Sequence, residues 1–354
     1  MDSASLTPVV EHTLEWEAID CPLCGSSDDQ LLLEASGIEG IPCRMVLCRD
    51  CGMGYLNPRP TAASIGQLYT PDYEWYHAPP PKTSYWRPWV THLQRIATAH
   101  YCGTPEPAAT LMDRVLAWFA GPWLRPDENS LTALPYQGEG RLLEYGCGSG
   151  WYAHRMQQLG WQVTGLDFNT HAALQAARQF GLPVLVGTLP HPAVMPESFD
   201  VVTMGAVLEH VPNPHEVIGA AAEALRPGGY LAISVPNLES WGFQTFGQHW
   251  WGLQLPLHLL HFTPHTLRQL LESHGLEVAE VRMTARCGWM RRTLAAARRA
   301  SDLEPRARFI ARLGRSRLVN SLVTHWTAQR GLGDNLLAVA RRPVRAAMPR
   351  SCAA

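Results

Sequence analysis

No apolar run in the 354-residue chain reaches the ~18 residues that a membrane-spanning helix needs. Met1 to Val10 contain an aspartate and lack the apolar core of a secretory signal. A cytoplasmic protein is therefore the expectation. Internal repeats and low-complexity segments are absent. Net charge is scarce too: the formal total of -2 excludes an overall electrostatic match to nucleic acid. Charged residues make up only 17% and hydrophobic ones 46%, a balance that buries a real core and is not that of a disordered chain. The little charge there is lies unevenly. Residues 1–60 hold ten Asp and Glu against three Arg, whereas residues 286–317 hold ten Arg against Asp302 and Glu304. Such asymmetry can hide a local basic surface behind a neutral total.

Nine cysteines in a cytoplasmic chain point to metal binding before a disulfide framework. Four form two knuckles, Cys21-Pro-Leu-Cys24-Gly and Cys48-Arg-Asp-Cys51-Gly. A two-residue spacer lets both thiolates of a knuckle face one ion, and the following glycine permits the tight turn. The pair predicts a closed, structural four-cysteine zinc site within an N-terminal module, residues 1–60. A redox dithiol would need only one such pair, at a helix start. Cys43, nearby, reads as a small buried thiol.

Residues 61–137 read as a helical connector. It holds an aromatic stretch (Tyr69, Tyr73, Trp75, Tyr76), a break at Pro79-Pro80-Pro81, and helical patterns near 84–101 and 106–120, the second carrying Leu111, Val115, Trp118 and Phe119. From Arg141 the pattern alternates between strand and helix. Strands are predicted at 141–145, 162–166, 183–186, 199–204, 230–235, 276–283 and 334–341. Helix starts are expected at Thr170, at Asn213-Pro214 and at Thr263-Pro264. The prediction is an α/β domain over 138–345 with a mostly parallel sheet and an Arg-rich helical insert at 286–330. Ligands of such sheets bind at the carboxyl ends of the strands.

The loop Glu144-Tyr-Gly146-Cys147-Gly148-Ser-Gly150 joins the first strand to a helix, and Asp167 ends the second strand. Glycines let a ligand approach the backbone closely, and an acid at that strand end accepts hydrogen bonds from ribose hydroxyls. An acidic residue beside a pyrophosphate would repel it; a carboxylate suits a ligand bearing a sulfonium and an ammonium.

Five ordered stretches carry a resemblance: Leu143 to Gly150, Gly165-Leu166-Asp167, Ser198 to Val202, Val207 to Pro214, and Leu225 to Leu231. With them the chain resembles a class I S-adenosylmethionine-dependent methyltransferase from about 136 to 341. Its N-terminal part, with the Cys51-Gly52-x-x-Tyr55-Leu56-Asn57-Pro58-Arg59-Pro60 tail, resembles the zinc ribbon of one subgroup. The resemblance implies a Rossmann-like sheet of seven strands, the last antiparallel. It implies S-adenosyl-L-methionine as cofactor beside structural Zn2+. Glu144, Gly146 and Gly148 would line the methionine part, with Cys147 and Gly150 in the same loop. Asp167 would hold the ribose, and Phe168 would pack on the adenine. Thr188 stands where relatives carry an acid that reads the adenine amine.

A hydroxyl acceptor usually needs a general base, most often histidine. His210 follows the fourth predicted strand; His258 and His261 follow the fifth, with Trp250 and Trp251 as candidate pocket walls. His258 ranks first as base and His261 second among the pair, with packing roles as the alternative. In the similar ubiquinone-type O-methyltransferases a second acid precedes Glu209 by three residues and the acids bind a divalent metal with the histidine. Here that position is Ala206, so metal assistance is not expected. Leu257 replaces the arginine of the subgroup's "Pro-Arg-His-Leu" motif.

The leading functional reading is methylation, on oxygen, of a small or carrier-linked metabolite such as a sugar nucleotide, glycan or secondary metabolite. An RNA methyltransferase is the rival, opposed by the acidic zinc module. An inactive fold serving as a zinc-ribbon interaction protein is the third. The Arg-rich insert reads as a solvated lid, as a peripheral contact with anionic membrane through 286–318 by way of Leu294, Phe309, Ile310, Leu313 and Leu318, or as an RNA contact.

Overall fold

The computed structural model describes residues 14–69, 88–105, 107–124, 127 and 130–344. Tyr73, Trp75, Tyr76 and Pro79–Pro81 lie outside the described residues. The cysteine-bearing segment folds as short strands: β1 (Trp16–Glu17), β2 (Asp29–Ser36), β3 (Pro42–Cys48), β4 (Gly54–Leu56) and β5 (Arg59–Pro60). Two connector helices follow, α1 (Pro88–Cys102) and α2 (Leu111–Leu124). They pack on each other through Leu93, Ile96 and Ala117. The apolar stripe of α2 faces outward instead, with Leu111, Val115, Trp118 and Phe119 exposed.

The α/β part then runs β6 (Arg141–Tyr145), α3 (Trp151–Gln158), β7 (Gln162–Asp167), α4 (Thr170–Phe180), β8 (Val184–Val186), β9 (Phe199–Gly205), α5 (Pro214–Ala224) and β10 (Leu225–Pro236). After it come α6 (Trp241–Phe246), β11 (Leu260–His261), α7 (Pro264–Ser273), β12 (Glu277–Thr284), α8 (Cys287–Arg299), α9 (Pro305–Leu313), α10 (Arg317–Gln329) and β13 (Asn335–Arg341). Local chemistry sets the helix starts. Asn213 accepts from Glu216 N, with Pro214 at the first turn. Thr263 and Thr266 form a reciprocal capping box. At α4 the cap is Asn169, which accepts from Ala172 N, and Thr170 is already helical.

The seven-stranded sheet has the order β12-β13-β10-β9-β6-β7-β8. β13 runs antiparallel to both neighbours, and β6, β7, β8, β9 and β10 are parallel. This is a Rossmann-like mixed sheet with one antiparallel strand. The chain leaves β6 toward β7 and β8, then returns to β9 on the other side. That reversal opens a crevice at the carboxyl ends of β6 and β9.

The cysteine-bearing sheet is completed from far downstream. β11 adds to its edge, with Leu260 opposite Tyr55 and His261 opposite Gly54. Met45, Tyr55 and Leu56 share one buried cluster with Leu238, Leu259 and Phe262. The Asn57–Pro60 tail ties the parts together. Asn57 Nδ2 donates to Asp29 Oδ2 and to Ile19 O, and Arg59 donates to Pro212 O at 2.7 Å.

Asp334 is buried beneath this region and accepts from Trp250 Nε1 at 2.9 Å. Burial pushes its carboxyl up to about 6, against the lowering effect of the Trp250 bond. A carboxyl raised above its unfolded value of 3.8 stabilises the fold below that pH, and the contribution is lost as pH rises through about 6. Asp334→Asn keeps the Trp250 acceptor and removes the charge. The variant should melt higher than the parent at pH 8, by up to about 3 kcal/mol less the cost of an unpartnered amide N–H. At pH 4 the two should melt together. Thermal unfolding at both values checks this.

Candidate active site and metal cluster

Steric fit explains the glycine loop. Gly146 has φ of +76°, and a Cβ there would lie 2.3 Å from Val207 Cγ2. Gly150 caps α3 at φ of +72°, and its Cβ would meet Ala176 Cβ at 2.6 Å. Gly148 is also left-handed. Its N–H donates to Asp167 Oδ2 at 2.8 Å, while Asn169 N–H donates to Asp167 Oδ1 at 2.9 Å. Asp167 is thus locked between its own turn and the loop, and each oxygen retains a free lone pair. Burial raises its carboxyl, opposed by these two N–H groups.

Glu144, one strand over, is buried, and its Oε2 has no hydrogen-bond partner. Burial pushes this carboxyl well above the usual range, against a bond from the Ala153 N–H. An orphaned carboxylate oxygen beside a backbone cradle fits a cationic ligand group. Phe168 and Thr188 lie exposed at the same edge, where Gly187 N–H donates to Asp167 O. Cys147 differs: its side chain is buried, packed toward Gly165, so only its backbone remains for the loop. Glu144, Gly146, Gly148, Asp167, Phe168 and Thr188 therefore lie at or beside the carboxyl ends of β6, β7 and β8, whereas Gly150 is buried against Ala176.

The histidines gather on the other side of that crevice. His210 sits in a tight turn, Leu208–His210, after β9. Its Nδ1 is 3.0 Å from Leu257 O and 2.9 Å from Tyr69 Oη. A carbonyl only accepts, so Nδ1 carries the proton and Nε2 the lone pair. His258 stands perpendicular to His210, ring centres 4.6 Å apart, and its Nδ1 donates to Gly252 O at 2.8 Å. His261 lies behind His258 at 6.3 Å. Burial pulls His210 down to about 4 and His261 to about 3, and pulls His258 well below the usual histidine range. Burial thus favours the neutral form of all three. His258 and His261 are sealed in the core, whereas His210 keeps a part-exposed edge. A base must reach its proton, so the geometry favours His210 over the sequence's first choice.

Glu209 is fully buried with neither carboxylate oxygen partnered, and burial pushes it to about 8 against the pull of Arg286. One donor atom each from Glu209, His210 and His258 lie within 4.8 Å of one another. The structure thus supplies, from the β10–β11 segment, a third donor that Ala206 cannot. Three such donors could share a divalent ion.

Two further residues enter this site that sequence patterns did not single out for it. Tyr69 bridges the halves: its ring meets Phe168 edge-on at 5.0 Å while its hydroxyl meets His210. Arg286 precedes α8 and reaches Ser234 Oγ at 3.4 Å. No local motif marks Tyr69, and Arg286 was hidden among ten arginines.

The four cysteines form a second cluster. Cys21 Sγ lies 3.5 Å from Cys51 Sγ, and Cys24 Sγ 3.6 Å from Cys48 Sγ. All four sulfurs lie within 4.8 Å of one another. A tetrahedral site with metal–sulfur bonds of about 2.3 Å places sulfurs about 3.8 Å apart. Burial pushes Cys21 up to about 11, and raises Cys51 further. Burial also opposes ionisation of Cys48, but the Cys51 and Asp50 N–H groups aimed at its sulfur win and lower it. A bound dication would offset this shared cost.

Residues 115–281 match the family model described as "Methyltransferase domain". That segment, a little under half of the chain, is similar to methyltransferase domains. It is 30% identical over 154 residues to the ubiquinone biosynthesis O-methyltransferase of Burkholderia orbicola (strain MC0-3), a match over 40% of this chain and 66% of that protein. The enzyme of the same name from Photorhabdus laumondii is 38% identical over 104 residues, covering 27% of this chain and 43% of that one. The chain thus spans 66% or less of these relatives. Among solved structures, the S-adenosylmethionine-dependent methyltransferase from Mesorhizobium loti superposes with a TM-score of 0.41 at 18% identity, over 59% of this chain and 94% of that one.

Proposed function

We propose that the protein transfers a methyl group from S-adenosylmethionine to an oxygen of a small or carrier-linked metabolite. The observation that carries this reading is the orphaned, buried Glu144 oxygen beside the glycine cradle, with Asp167 fixed next to it. Relatives named for O-methylation support oxygen as the acceptor atom. When bound, the cofactor supplies an electrophilic methyl group on a sulfonium. Glu144 offsets that positive charge, Asp167 accepts from ribose hydroxyls, and Phe168 offers a face to the adenine.

Little covalent work is left to the protein, because the leaving group is already activated; alignment dominates. His210 is assigned as proton acceptor through Nε2, with Leu257 O and Tyr69 Oη holding the ring. A second reading is favoured by the two unpartnered Glu209 oxygens: Glu209, His210 and His258 hold a divalent ion that orients the acceptor oxygen. The four cysteines are assigned a structural zinc ion, closed to chemistry because all four positions are sulfur.

The test is transfer of a labelled methyl group into host extract, resolved into RNA, lipid, protein and small-molecule fractions. Label is expected among small molecules or lipids, reduced about a hundredfold or more in His210→Ala with cofactor binding unchanged. A divalent-cation requirement shown by protein that still holds its cysteine-bound metal, and lost in Glu209→Gln, favours the second reading. Label confined to RNA overturns the proposal.

A further inference from the structure

Among the described residues no helix is long and apolar enough to cross a membrane. The insert nevertheless presents an apolar face to solvent, and it is built inside out. A surface helix normally turns its large apolar side chains inward. In α10 the buried positions are Asn320, Thr324 and Thr327, whereas Leu318 is 68% exposed, Leu322 59% and Trp326 40%. The spacing 318, 322, 326 is one helical stripe. In α9 the buried positions are the small Ala307 and Ala311, while Phe309, at 61% exposed, and Leu313 point out.

The inward polar donors are satisfied, while Asn320 Oδ1 is left without a partner among the described residues. Asn320 Nδ2 donates to Cys287 O at 3.2 Å, and Thr324 Oγ1 and Thr327 Oγ1 donate to helix carbonyls at 2.7 and 2.9 Å. The orientation is therefore fixed by bonding. α8 is the opposite case: Met290 and Leu294 are buried in the cluster that seats the insert. The outward apolar side chains thus lie on α9 and on α10, both of which pack against α8. Leu294, which the sequence placed among them, belongs to the core, and Ile310 is half-buried against the same cluster.

Charge identifies the occupant. Residues 305–330 contain six arginines and neither Asp nor Glu, in a chain of net charge -2. Arg306, Arg312, Arg315 and Arg317 are exposed and form no ion pair among the described residues. Arg330 lies over the Trp326 ring at 5.3 Å. Apolar and aromatic chains flanked by exposed guanidinium groups match the boundary of an anionic bilayer, apolar below and phosphate-bearing above. We propose that α9 and α10 dock the protein on anionic phospholipid membrane, with Phe309, Leu318 and Leu322 entering the acyl boundary and the four free arginines contacting phosphates. This stands independently of the methyl-transfer reading.

The test sediments the full chain with vesicles of phosphatidylcholine alone and of equal parts phosphatidylcholine and phosphatidylglycerol. Binding is expected only to the anionic vesicles. Arg312→Gln and Arg315→Gln should each weaken it about fivefold. Phe309→Ser with Leu318→Ser and Leu322→Ser should abolish it while leaving the melting temperature unchanged, since these chains are exposed. Equal binding to both vesicles, or binding to neither, overturns the proposal. So does self-association without lipid that the triple variant loses, because a second copy would then cover the face. Retention by single-stranded RNA without vesicle binding overturns it as well.

Discussion

Asp167→Ala raises the dissociation constant for S-adenosylmethionine by about a hundredfold or more. Two losses combine. The carboxylate that would receive the ribose hydroxyls disappears, and hydrogen bonds to a charged group contribute about 1.5–3 kcal/mol each. The Gly148 and Asn169 N–H groups also lose their acceptor, which frees the loop that Gly146 and Gly150 shape. Calorimetric titration measures the binding, and the melting temperature without cofactor separates it from unfolding. A variant that keeps its parent's melting temperature and still binds within about threefold would remove Asp167 from the site, since that is less than one charged hydrogen bond.

On the structural zinc assignment proposed above, Cys48→Ser lowers bound zinc from one ion per chain to near none and drops the melting midpoint by about 10–20 °C. Two buried thiols pushed upward at Cys21 and Cys51 need a dication to be ionised together. The damage should spread beyond the knuckles. Leu23 O receives His215 Nε2 of α5 at 2.8 Å, and Arg59 holds Pro212 O, two residues past His210. Cofactor affinity should therefore fall along with metal content. Elemental analysis and melting curves of parent, variant and chelated protein check this; a metal-free protein that melts with the parent would leave the cysteines without the assigned role.

Much of the sheet was legible because its strands are bounded by glycine, proline and capping residues. β6, β9 and β13 fall within a residue of their predicted spans. The glycine loop and Asp167 were legible because backbone approach and strand-end acids leave local signatures. Long-range features were not. β11 is two residues inside the apolar run Leu259-Leu260-His261-Phe262, and nothing local says that it pairs with β4. Burial of His258 and His261 was equally hidden, since a histidine reads the same on a rim and in a core. In the insert, leucines and arginines occur at every helical phase. Only packing separates Leu294, inside, from Leu318, outside.

The β11–β4 pairing also has a consequence in time. During synthesis the cysteine knuckles emerge about two hundred residues before the strand that closes their sheet. At 5–20 residues per second, that is an interval of about 10–40 s. Throughout it β4 has an open hydrogen-bonding edge beside Met45 and Tyr55, side chains that the finished protein seals away. Metal captured early would hold the hairpins in register and keep that edge from pairing with a neighbouring chain. On the proposed zinc assignment, metal supply while the protein is being made, more than afterwards, should then decide how much of it escapes aggregation.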